Sequence, residues 1–279
     1  MVAFVPFLGY TFVTNQYIVN LTGLYLTMFS TDTLYIGIDP TAGEKEFGFV
    51  ALDGNLNLVK FGDSDLDELI LFLEGPESVY IGINAPAGVN RGLVKKKLEE
   101  DNLKSNIRKI DIRMAEFELR EHGIAIAGTP SHEDYCPAWM QLGFALYRKL
   151  ADIGFNPYNQ DGTNRHVLET HPFACFCVLA ESAPFPKPTL EGRLQRQSIL
   201  FDKGLRINDA MSFFEEITRF KLIKGILPMD VLHTPEQLDM MVAAYTAWLG
   251  VNRPEEVTNI GDKTEGKISL PISELRGKY

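Results

Sequence analysis

Apolar and polar positions alternate with a period of two where the regular part of the chain begins. Residues 33–39 (TLYIGID) predict a strand. Residues 47–52 and 56–61 predict two more, and Asp53-Gly54 between them is a strong hairpin turn signal. The period then lengthens. Leu66, Leu69, Ile70 and Leu73 fall on one face of a helix predicted over 64–73, with Asp65, Asp67 and Glu68 in or beside its first turn, where the helix dipole favours negative charge. Residues 78–84 (SVYIGIN) are apolar almost without interruption, which predicts a strand buried on both faces. Strand, hairpin, helix and returning strand together predict an α/β fold with a mixed central sheet.

Farther along, helices are predicted over 113–121 and 138–150, the latter with Leu142, Ala145, Leu146 and Lys149 at helical spacing. Residues 165–169 predict a short strand that ends in the Glu169 carboxylate. A helix over 171–180 follows, with Pro172 in its first turn. Pro184, Pro186 and Pro188 break the chain rigidly, and helical runs resume over 189–202, 209–224 and 235–249. No repeat, low-complexity tract or linker divides these elements. They predict one domain over 33–275, with a helical insertion around 88–160.

Residues 1–30 carry no charge, and Lys45 is the first basic residue. A signal peptide needs a basic segment before its apolar run, and Asn15, Gln16 and Asn20 interrupt any span that would sit in lipid. Three readings remain for this leader: an over-extended start with the true one at Met28, a membrane anchor, or an extra element. The first is preferred, and a cytoplasmic protein with no stable membrane partner is expected.

The composition is that of a folded globular protein, with 45% hydrophobic and 23% charged residues. Lys plus Arg is 27 against 37 Asp plus Glu, a net charge of -10. An acidic surface repels a polyanion at long range, which argues against a generic nucleic-acid coat but leaves room for a local basic groove. A basic stretch does occur at Arg91, 95–97, Lys104, Arg108 and Lys109, partly offset by Glu99, Glu100 and Asp101. Three cysteines, Cys136, Cys175 and Cys177, are too few and too oddly numbered for a disulfide framework, and no Cys-x-x-Cys pair offers a zinc site. Phosphate-loop, dinucleotide, nucleophile-elbow and zincin patterns are absent from the sequence.

Four positions invite chemistry. Asp39 ends a buried strand and enters the turn Pro40-Thr41-Ala42-Gly43; it can face a ligand crevice at the strand's end or cap the turn. Asn84 ends the 78–84 strand in the same way, as a neutral oxygen ligand or a turn residue. Glu169 can ligate a metal or cap the helix that follows. Asp239 lies in a helix opened by Thr234, Pro235 and Gln237 and shares a face with Ala243; turned inward it needs a cation, a metal or a proton, and turned outward it is a surface residue favoured by the dipole. Arg113, Glu116 and Arg120 share a helix face, and Arg193 and Arg196, with Lys187 nearby, form a second set; these two arginines, three apart, suit either phosphate recognition or surface pairing with Glu191. His171 is a candidate proton shuttle or a structural residue.

Together these segments resemble a known family. Gly37-Ile-Asp39-Pro is similar to the first strand of RNase H-like nucleases. Ile81-Gly-Ile-Asn84-Ala-Pro, Arg113-x-x-Glu116-x-x-Leu119-Arg120, Leu168-Glu169-Thr-His-Pro172, Glu191-Gly-Arg193-x-x-Arg196, Leu238-Asp239-x-x-Val242 and Gly261-Asp-x-x-Glu265 continue the match. The whole resembles the family catalogued as domain of unknown function 429, predicted nucleases of RNase H-like fold. The resemblance implies a mixed central sheet that begins with three antiparallel strands and is flanked by helices. It implies Asp39, Glu169 and Asp239 as catalytic carboxylates that, with Asn84, hold Mg²⁺ or Mn²⁺ for two-metal hydrolysis of phosphodiesters. Arg113, Glu116, Arg120, His171, Arg193 and Arg196 would then contact a nucleic-acid or nucleotide substrate. Asn84 stands where the family usually has Asp, which removes one charge from the site. A non-catalytic binding module and an actin-like phosphotransferase or ATPase are the alternatives.

Overall fold

The first three strands, β1 (Leu34–Pro40), β2 (Phe47–Leu52) and β3 (Leu58–Ser64), form an antiparallel meander at one edge of the sheet. The meander is followed by helix α1 (Leu66–Glu74), whose Asp65 side chain caps it by accepting from the Glu68 amide. The chain then returns as β4 (Val79–Ile83), parallel to β1 on the side away from β2. These features come from a computed structural model that describes residues 33–100, 111–158 and 163–279. The leader, the 101–110 part of the basic stretch and residues 159–162 lie outside the described residues.

Helices α2 (Leu93–Glu100), α3 (Met114–Glu121) and α4 (Ala138–Asp152) and the short strand β5 (Asn156–Pro157) follow β4. Strand β6 (Arg165–Glu169) pairs parallel with β4. After it come α5 (Pro172–Ala180), α6 (Leu190–Asp202), α7 (Ser212–Glu216), α8 (Arg219–Ile223) and α9 (Pro235–Asn252). The hairpin β7 (Thr258–Asp262) and β8 (Gly266–Leu270) completes an eight-stranded sheet of order β3-β2-β1-β4-β6-β8-β7, with β5 beside β6. This is the predicted mixed sheet, with three antiparallel strands at one edge and helices on both faces.

Alternation sorts side chains to the two faces. Leu34, Ile36, Ile38, Val79, Ile81 and Ile83 pack with Leu69, Leu73, Leu146 and Leu150 of α1 and α4. Tyr35, Val50 and Leu52 pack on the other face with α3, α5, α6 and α9. Helix α9 lies against β1 so closely that a Cβ on Gly37 would fall 1.8 Å from the Met240 carbonyl oxygen, and one on Gly82 would fall 2.3 Å from that of Ala243. Small side chains at Ala243, Ala244 and Ala247, all buried, permit this approach.

Two sequence expectations change. The helix predicted over 209–224 is two short helices, because Ile217 is extended (φ -75, ψ 117) and Thr218 caps α8 by accepting from Lys221 N–H. The β7–β8 hairpin was not predicted; β7 (TNIGD) carries one apolar side chain, Ile260, so no alternation marks it. Among the described residues no helix is long and apolar enough to cross a membrane.

Candidate active site at the β1–α9 edge

Parallel pairing sets Ile38 of β1, Ile83 of β4 and Glu169 of β6 in one row. Ile38 and Ile83 face α1 and α4, so Glu169 leaves the sheet toward that face as well. Asp39 is one residue on and faces α9. Asn84, whose amide donates to the Ile38 carbonyl, lies beside it. Asp239 meets them from the first turns of α9, which a capping box between Thr234 and Gln237 starts at Pro235.

Asp39 and Asp239 are 8% and 7% exposed and line one open cavity of about 320 Å³ with Asn84, Lys187, Glu236, His171 and Trp139. Burial pushes the Asp39 carboxyl up to about 7, and the neighbouring Asp239 adds to the rise; Lys187 and the Asn84 amide work against it. Burial also raises Asp239, although Lys187 Nζ lies 2.6 Å from its Oδ2. Burial disfavours the Lys187 ammonium itself, but Asp239, Asp39 and Glu236 outweigh that and hold it above the usual lysine range. Lys187 Nζ is also 3.7 Å from Glu236. Two buried carboxylates therefore share one ammonium.

Glu169 belongs to a different cluster. Arg113 Nη1 donates to its Oε2 at 2.9 Å, Arg113 Nη2 pairs with its Oε1, and Ala87 N–H donates to Oε2 at 2.8 Å. Arg113 is 2% exposed; its Nε donates to Glu116, and Nη1 also reaches the Glu265 carbonyl. Glu116 further accepts from the Thr129 amide and hydroxyl. Glu265, fully buried, accepts from the amides of Arg91 and Met114. These buried charges fasten the loop after β4, the start of α3 and the β7–β8 turn to one another.

The remaining candidates are dispersed. Arg120 is exposed and donates to the Ile126 carbonyl. Arg193 donates to the carbonyls of His233 and Leu232 ahead of α9. Arg196 is buried, donates to the carbonyls of Phe185 and Gly192, and lies over the Phe176 ring. His171 does reach the cavity. Burial depresses its imidazole to about 4, and its Nδ1 accepts from Ala174 N–H, which leaves Nε2–H as a donor at neutral pH. Sequence reasoning placed Lys187 only near an arginine set and missed Glu236 and Trp139. The prolines at 184, 186 and 188 signal a fixed strap, but nothing local reveals that it brings Lys187 to a carboxylate 52 residues on.

The family model described as Protein of unknown function (DUF429) matches residues 37–265. The chain belongs to this family. No curated protein and no solved structure matches it. The matched span includes both buried clusters, from Asp39 to Glu265.

The donor set suits one hard divalent cation. Two carboxylates and an amide oxygen are hard ligands, and Lys187 offsets only part of their charge. Glu169 does not line this cavity; it borders a small adjoining one with Asn84 and His171 and is already paired with Arg113. Among the described residues no group of three or more His, Cys, Asp or Glu side chains is arranged to hold a metal. Any ion between Asp39 and Asp239 would complete its coordination with water or substrate oxygen.

Proposed function

We propose that the chain is a divalent-cation-dependent phosphodiesterase acting at the Asp39–Asp239 cavity, with a nucleic acid or nucleotide as substrate. The observation that carries this reading is the buried carboxylate pair opening on one cavity with a single ammonium between two charges. The RNase H-like resemblance supports it, since it implies Asp39 and Asp239 as metal-binding acids. Asp39, Asp239 and the Asn84 carbonyl oxygen would hold Mg²⁺ or Mn²⁺. When bound, the ion activates water and offsets charge on the phosphate. His171 and Trp139 form part of the cavity wall, where the His171 Nε2–H would be a donor to a bound phosphate.

The test is hydrolysis of single-stranded and duplex DNA and RNA, and of bis(p-nitrophenyl) phosphate, with Mn²⁺ or Mg²⁺. Activity that needs the ion and falls at least about a hundredfold in Asp39→Asn and Asp239→Asn is expected. Mn²⁺ should also raise the melting temperature of the wild type and not of the double variant. Equal activity in the variants, or none in the wild type, overturns the reading. Cation-dependent binding without cleavage would favour the binding-module alternative, to which the neutral Asn84 lends support.

A further inference from the structure

We propose that Lys187 is a tethered second cation of this site: it replaces the second metal ion and contacts the phosphate of the substrate directly. This inference rests on the phosphodiesterase reading above and specifies its phosphate-recognition chemistry. Three observations lead to it. First, the cavity holds protein charge for one divalent ion only. Asp39, Asp239 and the half-buried Glu236 are its carboxylates, Lys187 offsets one of those charges, Asn84 is neutral, and Glu169 is held outside this cavity in a bidentate pair with Arg113. With Lys187 in place, the charge these carboxylates leave over matches one divalent ion, not two. Second, a cation is already present. Lys187 Nζ lies 2.6 Å from Asp239 and 3.7 Å from Glu236 and lines the same cavity as Asp39. Third, its position is built. Lys187 stands between Pro186 and Pro188, whose fixed φ stiffens the strap, and Arg196 donates to the Phe185 carbonyl two residues earlier. The strap is also fixed from α6, where the Phe185 amide donates to Gln195. A side chain 39% exposed, anchored on a stiff backbone and paired at its tip, can turn from Asp239 to an incoming phosphate oxygen while a metal ion takes over the carboxylate.

Calorimetry on the full chain separates the alternatives, with MnCl₂ as the first probe and inorganic phosphate in saturating Mn²⁺ as the second. The wild type should bind one Mn²⁺ per chain. Lys187→Met should still bind one, more tightly by about threefold or more, because a competing cation is gone. Its affinity for phosphate in Mn²⁺ should fall about tenfold or more, and Lys187→Arg should recover most of it. Circular dichroism and thermal unfolding of the variants establish that they fold; Lys187→Gln, which also removes the charge, carries the test if the Met variant does not fold. Two Mn²⁺ per wild-type chain, phosphate affinity unchanged in Lys187→Met, or no phosphate binding by the wild-type Mn²⁺ complex overturns the inference alone. Absence of Mn²⁺ binding, with Asp39→Asn indistinguishable from wild type, removes the phosphodiesterase reading and this inference with it.

Discussion

Arg113 stands between Glu116 and Glu169 with its guanidinium closed off from solvent, so its removal leaves two carboxylates buried and uncompensated. Such a deletion costs about 3–5 kcal/mol. Arg113→Met should therefore lower urea-unfolding stability by that order, and Glu169→Gln should be destabilising too, because Ala87 N–H and Arg113 lose a charged acceptor. Mn²⁺ affinity per folded molecule should survive both changes, since neither residue reaches the Asp39 cavity. A Glu169→Gln protein that folds as well as the wild type but no longer binds Mn²⁺ would restore Glu169 as a ligand.

Two of the titratable groups at the cavity, Asp39 and His171, oppose one another. Asp39 rises from 3.8 to about 7 on folding, through burial and Asp239 with Lys187 opposing and Glu236 adding, so between these pH values the folded chain binds more protons than the unfolded one. Its contribution to stability falls as pH rises through that window. His171 moves from 6.5 to about 4, through burial and Arg113 with Glu116 opposing, so the unfolded chain binds more protons there. Its contribution is full above about 6.5 and is lost as pH falls toward 4. The two slopes cancel over much of the range from pH 4 to 6.5. In metal-free buffer, Asp39→Asn should lose stability on acidification more steeply than the wild type, and His171→Asn less steeply. Each difference is bounded by about 1.4 kcal/mol per pH unit. Parallel profiles for all three proteins in urea titrations would remove this account.

At the scale of elements, the site exists because α9 touches β1 backbone to backbone. Asp39 and Asp239 ride on those two elements, and Gly37 is the point of contact. In Gly37→Ala the new methyl meets the Met240 carbonyl and the Ala244 amide of α9, backbone atoms that cannot turn aside. The helix must lift. Urea unfolding should show a loss of about 3 kcal/mol or more. Mn²⁺ affinity should drop as well, because the carboxylates separate. A neutral Gly37→Ala would show that the contact is looser than its geometry. The elements themselves were largely legible, since their causes are local. The hairpin turn at Asp53-Gly54, the Asp65 cap and the Thr234–Gln237 capping box lie within a few residues of what they control. Asp39 and Asp239 were legible for a related reason, as a carboxylate at a strand end and another on a helix with small neighbours. The partition of the acids between two faces was not. It follows from the register of β4 against β6, which places Glu169 level with Ile83, and no stretch of sequence contains both strands' pairing. The burial of Arg113 was equally hidden, because its partners Glu169 and Glu265 lie far along the chain.

For the whole molecule, charge governs what reaches the cavity. The chain carries a net charge of -10, and Asp39, Asp239 and Glu236 outnumber Lys187 at the cavity itself. A long polyanion is repelled by this field, and the repulsion extends farther at low ionic strength, where the screening length is about 30 Å at 0.01 M against about 8 Å at 0.15 M. Raising NaCl across that range at fixed saturating Mn²⁺ should increase kcat/KM for a long oligonucleotide and leave that for bis(p-nitrophenyl) phosphate nearly unchanged. The opposite slope, a steep fall with salt, would mean that substrate phosphates release counterions on contact with a basic track. Among the described residues there is a candidate for such a track. A larger cavity of about 640 Å³ on the α4 face is bordered by Arg91, Lys263 and Lys267, and its acidic lining residue, Glu169, is already held by Arg113. Charge-reversing those three residues would then abolish the salt dependence, whereas a substrate bound through the β1–α9 cavity alone would not respond to them.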